Sequence, residues 1–169
     1  MEQYDEIRGR CSVRVFVDRP VDEEALRRVL DTGRLAPSAR NRQARKIIVV
    51  RDAERRSALA AAADQLWIAK APVLLAVVGT EPECIMHCGV PADPVDCAIA
   101  IDLMTLAAVA EGLGTCWLGH FNQDACCELL EVPPGARIIE LVAMGYPAAE
   151  PTPKHRKPFD EVVCMETFH

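Results

Sequence analysis

The chain has 169 residues and a net charge of −6, with half of the residues apolar and 26% charged. This length suits one domain with a core of its own, and the acidic balance argues against general nucleic-acid binding, which needs a basic face. The apolar runs 71–79 and 97–110 are shorter than the roughly 20 residues that span a bilayer, and residues 1–10 contain no apolar signal segment. We therefore expect a single domain over residues 1–169, in the cytoplasm, with no nucleic-acid or membrane partner.

Eight cysteines occur in the chain. Because no export signal is visible, we expect free thiols rather than disulfides, and Cys97 and Cys116, inside apolar runs, should pack as small hydrophobes. Lysine and arginine are unevenly placed, since Arg137 is the only one between residues 71 and 153. The others cluster in short segments, which are either anion-binding sites or solvated surface.

The predicted elements mix helices and strands without a regular βαβ repeat, which indicates an α+β fold. Asp22 suits a helix N-cap, proline ends the helix that follows, and runs of β-branched or apolar residues favour strands. In chain order, we predict a helix at Tyr4–Arg8, a helix from Asp22 to about Arg34, a strand at Lys46–Arg51, a helix at Ala53–Lys70, a strand at Pro72–Gly79, an irregular segment at Glu81–Asp93, a helix at Pro94–Glu111, a strand at Thr115–Gly119, a helix at Asn122–Leu130 and a strand at Arg137–Gly145.

Two segments need a surface to cover them. The Pro94–Glu111 helix is apolar nearly all round, with only Asp96 and Asp102 as charges before Glu111, so core or a second subunit must surround it. The tail over residues 147–169 is proline-rich and charged and has little core of its own. We expect it to pack on a partner subunit.

Several familiar catalytic motifs are absent from the sequence. It contains no Gly-x-Gly-x-x-Gly after a strand, no Walker-type phosphate loop, no Gly-x-Ser-x-Gly elbow and no His-Glu-x-x-His helix. If the chain is an enzyme, the reactive group is therefore expected to belong to a cofactor rather than to a side chain.

The segment 10–14 (RCSVR) is the first candidate binding feature. In an extended chain Arg10, Ser12 and Arg14 point to one side, and two guanidiniums that flank a hydroxyl can hold a phosphate. The other interpretation is ordinary surface charge. A second anion-suited group, Lys154 with Arg156, occurs near the C-terminus.

Two further segments suit a flat ligand. Residues 36–43 (APSARNRQ) form a loop with amide side chains that can donate to and accept from a heteroaromatic edge, or an ordinary capping turn. Residues 111–119 (EGLGTCWLG) contain glycines that either let the backbone approach a ligand closely or end a helix.

Taken in order, these segments resemble the nitroreductase-like family of FMN-dependent oxidoreductases. The matching features are Arg10/Ser12/Arg14, Ala36–Gln43, Asp96/Ala100, Glu111–Gly119, Gly145–Pro147 and Lys154/Arg156. Their order and spacing agree over nearly the whole chain. The chain departs from the family pattern after Gln43, where Ala44 and Arg45 replace the usual proline and aromatic residue.

The resemblance implies an α+β fold with a central mixed β-sheet wrapped by helices, in an intertwined homodimer with two FMN sites at the interface. It implies that the phosphate and ribityl chain are held by Arg10, Cys11, Ser12 and Arg14, with Lys154 and Arg156. It implies that the other subunit lines the flavin ring with Pro37, Ser38, Asn41 and Gln43. Leu118 and Gly119 would bring backbone N–H groups to the flavin, and no side chain would be catalytic and no metal bound.

The implied reaction is ping-pong: NADH or NADPH reduces the flavin, which then reduces a small electron-poor acceptor, a nitroaromatic or a quinone. The alternatives are a protein of this fold with oxygen-dependent or dehalogenase-type chemistry, or a non-catalytic protein that binds flavin or metal. For a metal, Cys84, His87 and Cys88 are the candidate ligands because thiolates and imidazoles at short spacing bind zinc or iron–sulfur clusters.

Overall fold

A four-stranded sheet forms the centre of the computed structural model, which describes residues 5–149 and 155–168. Its strands are β1 (Arg45–Val50), β2 (Val73–Gly79), β3 (Gly114–Leu118) and β4 (Arg137–Gly145). The spatial order is β1-β2-β4-β3, and each neighbouring pair is antiparallel. A parallel component is the isolated bridge between Ser12 and Thr115, which places the N-terminal segment beside β3.

Helices cover both faces of this sheet. They are α1 (Asp5–Gly9), α2 (Glu23–Leu35), α3 (Ala53–Ala62), α4 (Ala92–Ala110) and α5 (Gln123–Leu129), with short 3-10 turns at Ala39–Asn41, Leu66–Lys70 and Phe159–Glu161. Every residue of β2 is buried. Val73, Leu75 and Val77 pack with α2 and α4 on one face, and the alternate residues pack with α3 and α5 on the other. The predicted α+β fold with a helix-wrapped sheet is confirmed.

The caps read from the sequence are present. The Asp22 carboxylate accepts the N–H groups of Glu24 and Ala25, each at 3.0 Å, and so begins α2. Asn122 accepts from the N–H of Ala125 in the same way. None of the helices among the described residues has the length and apolarity needed to cross a membrane.

The single helix predicted over Ala53–Lys70 is wrong, because the chain breaks after Ala62. Asp64 has a φ of 50°, a left-handed conformation that no α-helix continues through. The break lets Ile68 turn into the core, where it is fully buried. The Arg56 guanidinium then donates to the carbonyls of Ala69 and Ala71 and ties the second piece to α3.

Helix α4 begins two residues earlier than predicted, at Ala92, because Pro94 falls in the first turn, where a missing N–H group costs nothing. One side of α4 is buried against the sheet and α2, and Gly33 of α2 gives room for Met104. Another side keeps half-buried apolar residues at helical spacing, namely Val95, Ile99, Leu103 and Leu106. Within one chain, the expected all-round cover of this helix is therefore incomplete.

Candidate functional site

The segment 10–14 lies along the outer edge of β3. The Val13 N–H donates to the Thr115 carbonyl at 2.9 Å, and Ser12 forms the bridge to Thr115. Gly114 permits this approach, because a Cβ built there would lie 2.5 Å from the Val13 side chain. Gly112, with a φ of 69°, follows the end of α4. These two glycines therefore serve chain packing and helix termination rather than contact with a ligand.

The charges of Arg14 and Arg10 and the hydroxyl of Ser12 all act on the thiol of Cys116. Burial raises the pKa of this thiol, and the positive charge of Arg14, a hydrogen bond from Ser12 and the charge of Arg10 oppose that rise. Among the described residues, neither guanidinium forms an ion pair with a carboxylate. Two cations and a hydroxyl thus act on one thiol, and no carboxylate among the described residues pairs with either cation. Cys11, between them in sequence, is half-buried.

The loop 36–43 is held in shape by its own polar groups. The Ser38 hydroxyl accepts from the Gln43 N–H at 2.9 Å, and the Gln43 amide donates to the Asn41 carbonyl at 3.3 Å. Asn41 and Gln43 have φ values of 55° and 54°, which asparagine tolerates better than most residues. The side chains of Pro37 and Asn41 are exposed. The loop therefore presents an ordered, partly polar surface.

Two residues that sequence reasoning did not assign to this loop anchor it. The Ala39 N–H donates to both oxygens of Asp96 in α4, at 3.0 and 3.1 Å, and Asp96 is 3% exposed. The Arg45 guanidinium donates to the carbonyls of Ala36 and Gly33 at the end of α2. The signals in the sequence were an acid in an otherwise apolar helix and the departure from the family pattern after Gln43, where Arg45 makes hydrogen bonds to the backbone.

The end of β3 exposes backbone next to an acid. Leu118 is buried in the core, whereas Gly119 is exposed. A Cβ on Gly119 would lie 3.4 Å from Oε1 of Glu140, a β4 residue. Oε2 of Glu140 is buried and has no hydrogen-bond partner among the described residues, and burial raises the pKa of this carboxyl. Sequence reasoning missed Glu140, although an acid within the apolar run 137–145 was visible.

One chain does not bring the two predicted halves of the site together. The loop 36–43 precedes β1 and is tied to Asp96, whereas segment 10–14 borders β3 at the opposite edge of the sheet. Gly9 packs against Val109 of α4. Thirteen residues of helix separate Asp96 from Val109, a rise of about 20 Å. Of the C-terminal pair, Lys154 lies outside the described residues, and Arg156 is exposed and donates to the His155 carbonyl.

The alternative metal site gains no support from the geometry. Within the part of the chain that the structure describes, no group of three His, Cys, Asp or Glu side chains is arranged to hold a metal ion. His87 and Cys88 are exposed at a turn, and Cys84 lines a pocket of about 580 Å³ with Arg42, which pairs with Glu81. The eight cysteines form no disulfide with one another. The prediction that Cys97 and Cys116 are buried is confirmed.

Comparisons with known proteins identify the family of this chain. The model of the nitroreductase family matches residues 7–85 and 89–146, which include segment 10–14, loop 36–43 and Gly119. An NADH dehydrogenase from Thermus thermophilus is 31% identical over 186 residues, 91% of each chain. An FMN reductase [NAD(P)H] from Bacillus subtilis is 32% identical over 178 residues, 93% of this chain and 70% of that one. A nitroreductase family protein from Clostridium difficile superimposes with a TM-score of 0.87 at 31% identity, over 99% of this chain and 100% of the other. The chain belongs to the nitroreductase family.

Proposed function

We propose that this protein is an FMN-dependent oxidoreductase that uses NADH or NADPH to reduce a small electron-poor acceptor, a nitroaromatic or a quinone. The observation that carries the proposal is the group formed by Arg10, Ser12 and Arg14, which lies beside the strand that leads to Gly119. The group contains a hydroxyl and two cations, and neither cation has a carboxylate partner among the described residues. Membership of the nitroreductase family and the similarity to an FMN reductase support the cofactor and the hydride donor.

The residues present fit FMN. Guanidinium groups bind phosphate through paired, charge-assisted hydrogen bonds, so Arg10 and Arg14 with Ser12 would hold the phosphate, and we assign Cys11, Lys154 and Arg156 to the same end of the cofactor. The exposed backbone at Leu118–Gly119 leaves room for a flat ring, since Gly119 has no side chain. Pro37, Ser38, Asn41 and Gln43 provide an ordered surface with amide and hydroxyl groups for the other side of that ring.

FMN, when bound, would supply the redox chemistry by taking a hydride from NAD(P)H and passing it to the acceptor. The chain's own residues would bind and orient it. A bound phosphate would neutralise the charges of Arg10 and Arg14, which otherwise repel each other.

We further propose that the active species is a homodimer with FMN between the subunits. Segment 10–14 and loop 36–43 lie at opposite edges of the sheet of one chain, so a cofactor that touches both needs a second copy to supply one of them. The half-buried apolar stripe of α4 offers a surface for that copy. The tail provides another, because Phe159, Val162, Met165 and Phe168 are 67–97% exposed, which is unusual for large apolar side chains unless a partner covers them.

The cytoplasm is the compartment we propose, because eight cysteines without a disulfide among them suit a reducing environment. This assignment also matches the supply of NAD(P)H.

The first test is the absorption spectrum of the purified protein, followed by heat release and chromatographic identification of the flavin. We expect FMN near one per chain, and NAD(P)H oxidation that accelerates when a quinone or nitroaromatic is added. A colourless protein that takes up no added FMN would contradict the proposal. FMN with NAD(P)H oxidation that depends only on oxygen would instead favour the oxygen-dependent alternative.

A further inference from the structure

Glu140 is the one side chain in the described residues with a buried oxygen that lacks a hydrogen-bond partner. In native proteins nearly all buried polar atoms are hydrogen-bonded, and the exceptions mark a function or a partner that binds there. Glu140 lies in β4, opposite Val77 of β2. The sheet gains nothing from a carboxyl at this position, since an apolar residue would pack there without an unsatisfied atom.

The strand register places this carboxyl beside Gly119. Leu118 pairs with Leu141 in the β3–β4 ladder, so Gly119 follows next to Glu140. A Cβ on Gly119 would lie 3.4 Å from Oε1 and 3.6 Å from Oε2. The absence of a side chain at residue 119 therefore leaves both carboxyl oxygens next to the exposed backbone where the proposed flavin ring would lie.

The surroundings of Glu140 are nearly free of charge. Strand β2 contains no ionisable residue, and β3 contains only Cys116. The other ionisable group of β4 is Arg137, which is exposed, and His120, which follows Gly119, is exposed as well. The rise in the pKa of Glu140 has burial as its cause. The carboxyl is thus held closer to its neutral form by desolvation rather than by a neighbouring charge.

We propose that Glu140 positions the flavin ring at Gly119. The neutral carboxyl of Glu140 donates a hydrogen bond to the ring, and the ionised carboxylate repels negative charge on the ring. This inference rests on the proposed function and adds to it a proton-dependent control of the bound flavin. When the carboxyl is neutral, its O–H stabilises the electron-rich reduced ring. When the carboxyl ionises, like-charge repulsion disfavours the reduced ring.

The test compares the midpoint potential of bound FMN in the wild-type protein and in Glu140→Gln, from about pH 4 to about pH 9, a range that spans the ordinary glutamate pKa and a raised one. Glutamine is nearly the same shape and remains a neutral donor. The two potentials should agree at low pH and separate as the pH rises, with the variant the higher. A tenfold greater preference for reduced FMN corresponds to about 30 mV for a two-electron couple. Glu128→Gln, an exposed glutamate of α5, is the matched control and should follow the wild type.

Parallel curves for the wild type and Glu140→Gln would overturn the inference while leaving the flavoprotein assignment intact. A chain that binds no FMN in any form would overturn both. A measurement on the wild-type chain alone guards against a variant that does not fold: the carboxyl carbon resonance of Glu140, followed by NMR against pH, should change its titration midpoint when FMN is added. An unchanged midpoint at saturating FMN would overturn the inference as well.

Discussion

At the scale of single residues, the phosphate end of the proposed site contains two positive charges whose repulsion a bound anion would reduce. Arg10 and Arg14 lie near the same thiol, and neither has a carboxylate partner among the described residues. Two like charges at short range repel, and the repulsion weakens when an anion binds between them. By contrast, Arg42 is paired with Glu81, and Arg28 forms two hydrogen bonds with Glu111. Segment 10–14 therefore offers two arginines that no carboxylate of the described residues pairs with, on either side of a hydroxyl.

Replacing Arg10 with alanine should weaken FMN binding, because one charged hydrogen bond to phosphate is lost. A contact of this kind contributes about 1.5–3 kcal/mol, so the dissociation constant should rise roughly 10- to 150-fold. Fluorescence titration of the flavin-free protein with FMN measures it. Arg55→Ala, at an exposed position of α3, is the control. If Arg10→Ala bound FMN as tightly as the control, Arg10 would not belong to the phosphate site.

The stability of the flavin-free protein should also depend on Glu140. The folded-state pKa of this carboxyl is raised by burial, whereas an unfolded chain has the ordinary value near about 4.3. The folded state then binds more protons between the two values, so stability falls as the pH rises through them. The melting temperature of the wild type should therefore decrease relative to Glu140→Gln from about pH 4 upward. A constant difference between the two at all pH values would show that the carboxyl does not titrate differently on folding.

At the scale of elements, the sequence predicted the features that depend on neighbouring residues alone, such as where a capped helix begins. Asp22 begins α2 because its carboxylate satisfies two N–H groups that no helix can satisfy internally. Substituting Asp22 with alanine should cost about 0.5–2 kcal/mol of the free energy of unfolding, to be measured by chemical denaturation. Asp18→Ala, at an exposed bend before the helix, should cost much less. Equal losses would mean that α2 begins without the help of this cap.

The features that the sequence did not predict depend on tertiary packing. Residues 53–70 are rich in alanine, which favours a helix. The helix nevertheless ends at Ala62, and the break places Ile68 in the core, where its side chain is fully buried. No spacing in the sequence reports that Asp96 accepts an N–H from a loop 57 residues away. The same holds for Glu140 and Gly119, which meet only through the register of β3 on β4. Motif order predicts which segments form the proposed site, and the packing of the sheet determines which residues support those segments.

At the scale of the whole molecule, we propose that the site is shared between two subunits. Within one chain, α4 holds segment 10–14 and loop 36–43 far apart, near its two ends. A symmetric dimer would contain two equivalent sites, each with segment 10–14 from one chain and loop 36–43 from its partner. The half-buried apolar residues of α4 and the exposed apolar residues of the tail are the surfaces that such an association would bury.

Complementation between two defective chains tests this arrangement directly. Arg10→Ala damages the phosphate end, and Asn41→Gly removes a loop side chain while tolerating the positive φ of 55° at that position. Each variant alone has two impaired sites. In a dimer that contains one chain of each kind, shared sites give one intact site and one doubly impaired site. Random exchange should then restore tight FMN binding at about one quarter of all sites. Sites built within single chains would remain impaired in every mixture. Co-purification of differently tagged chains is the control that shows that mixed dimers have formed. If mixed dimers form and no tight FMN binding appears, the shared site is contradicted.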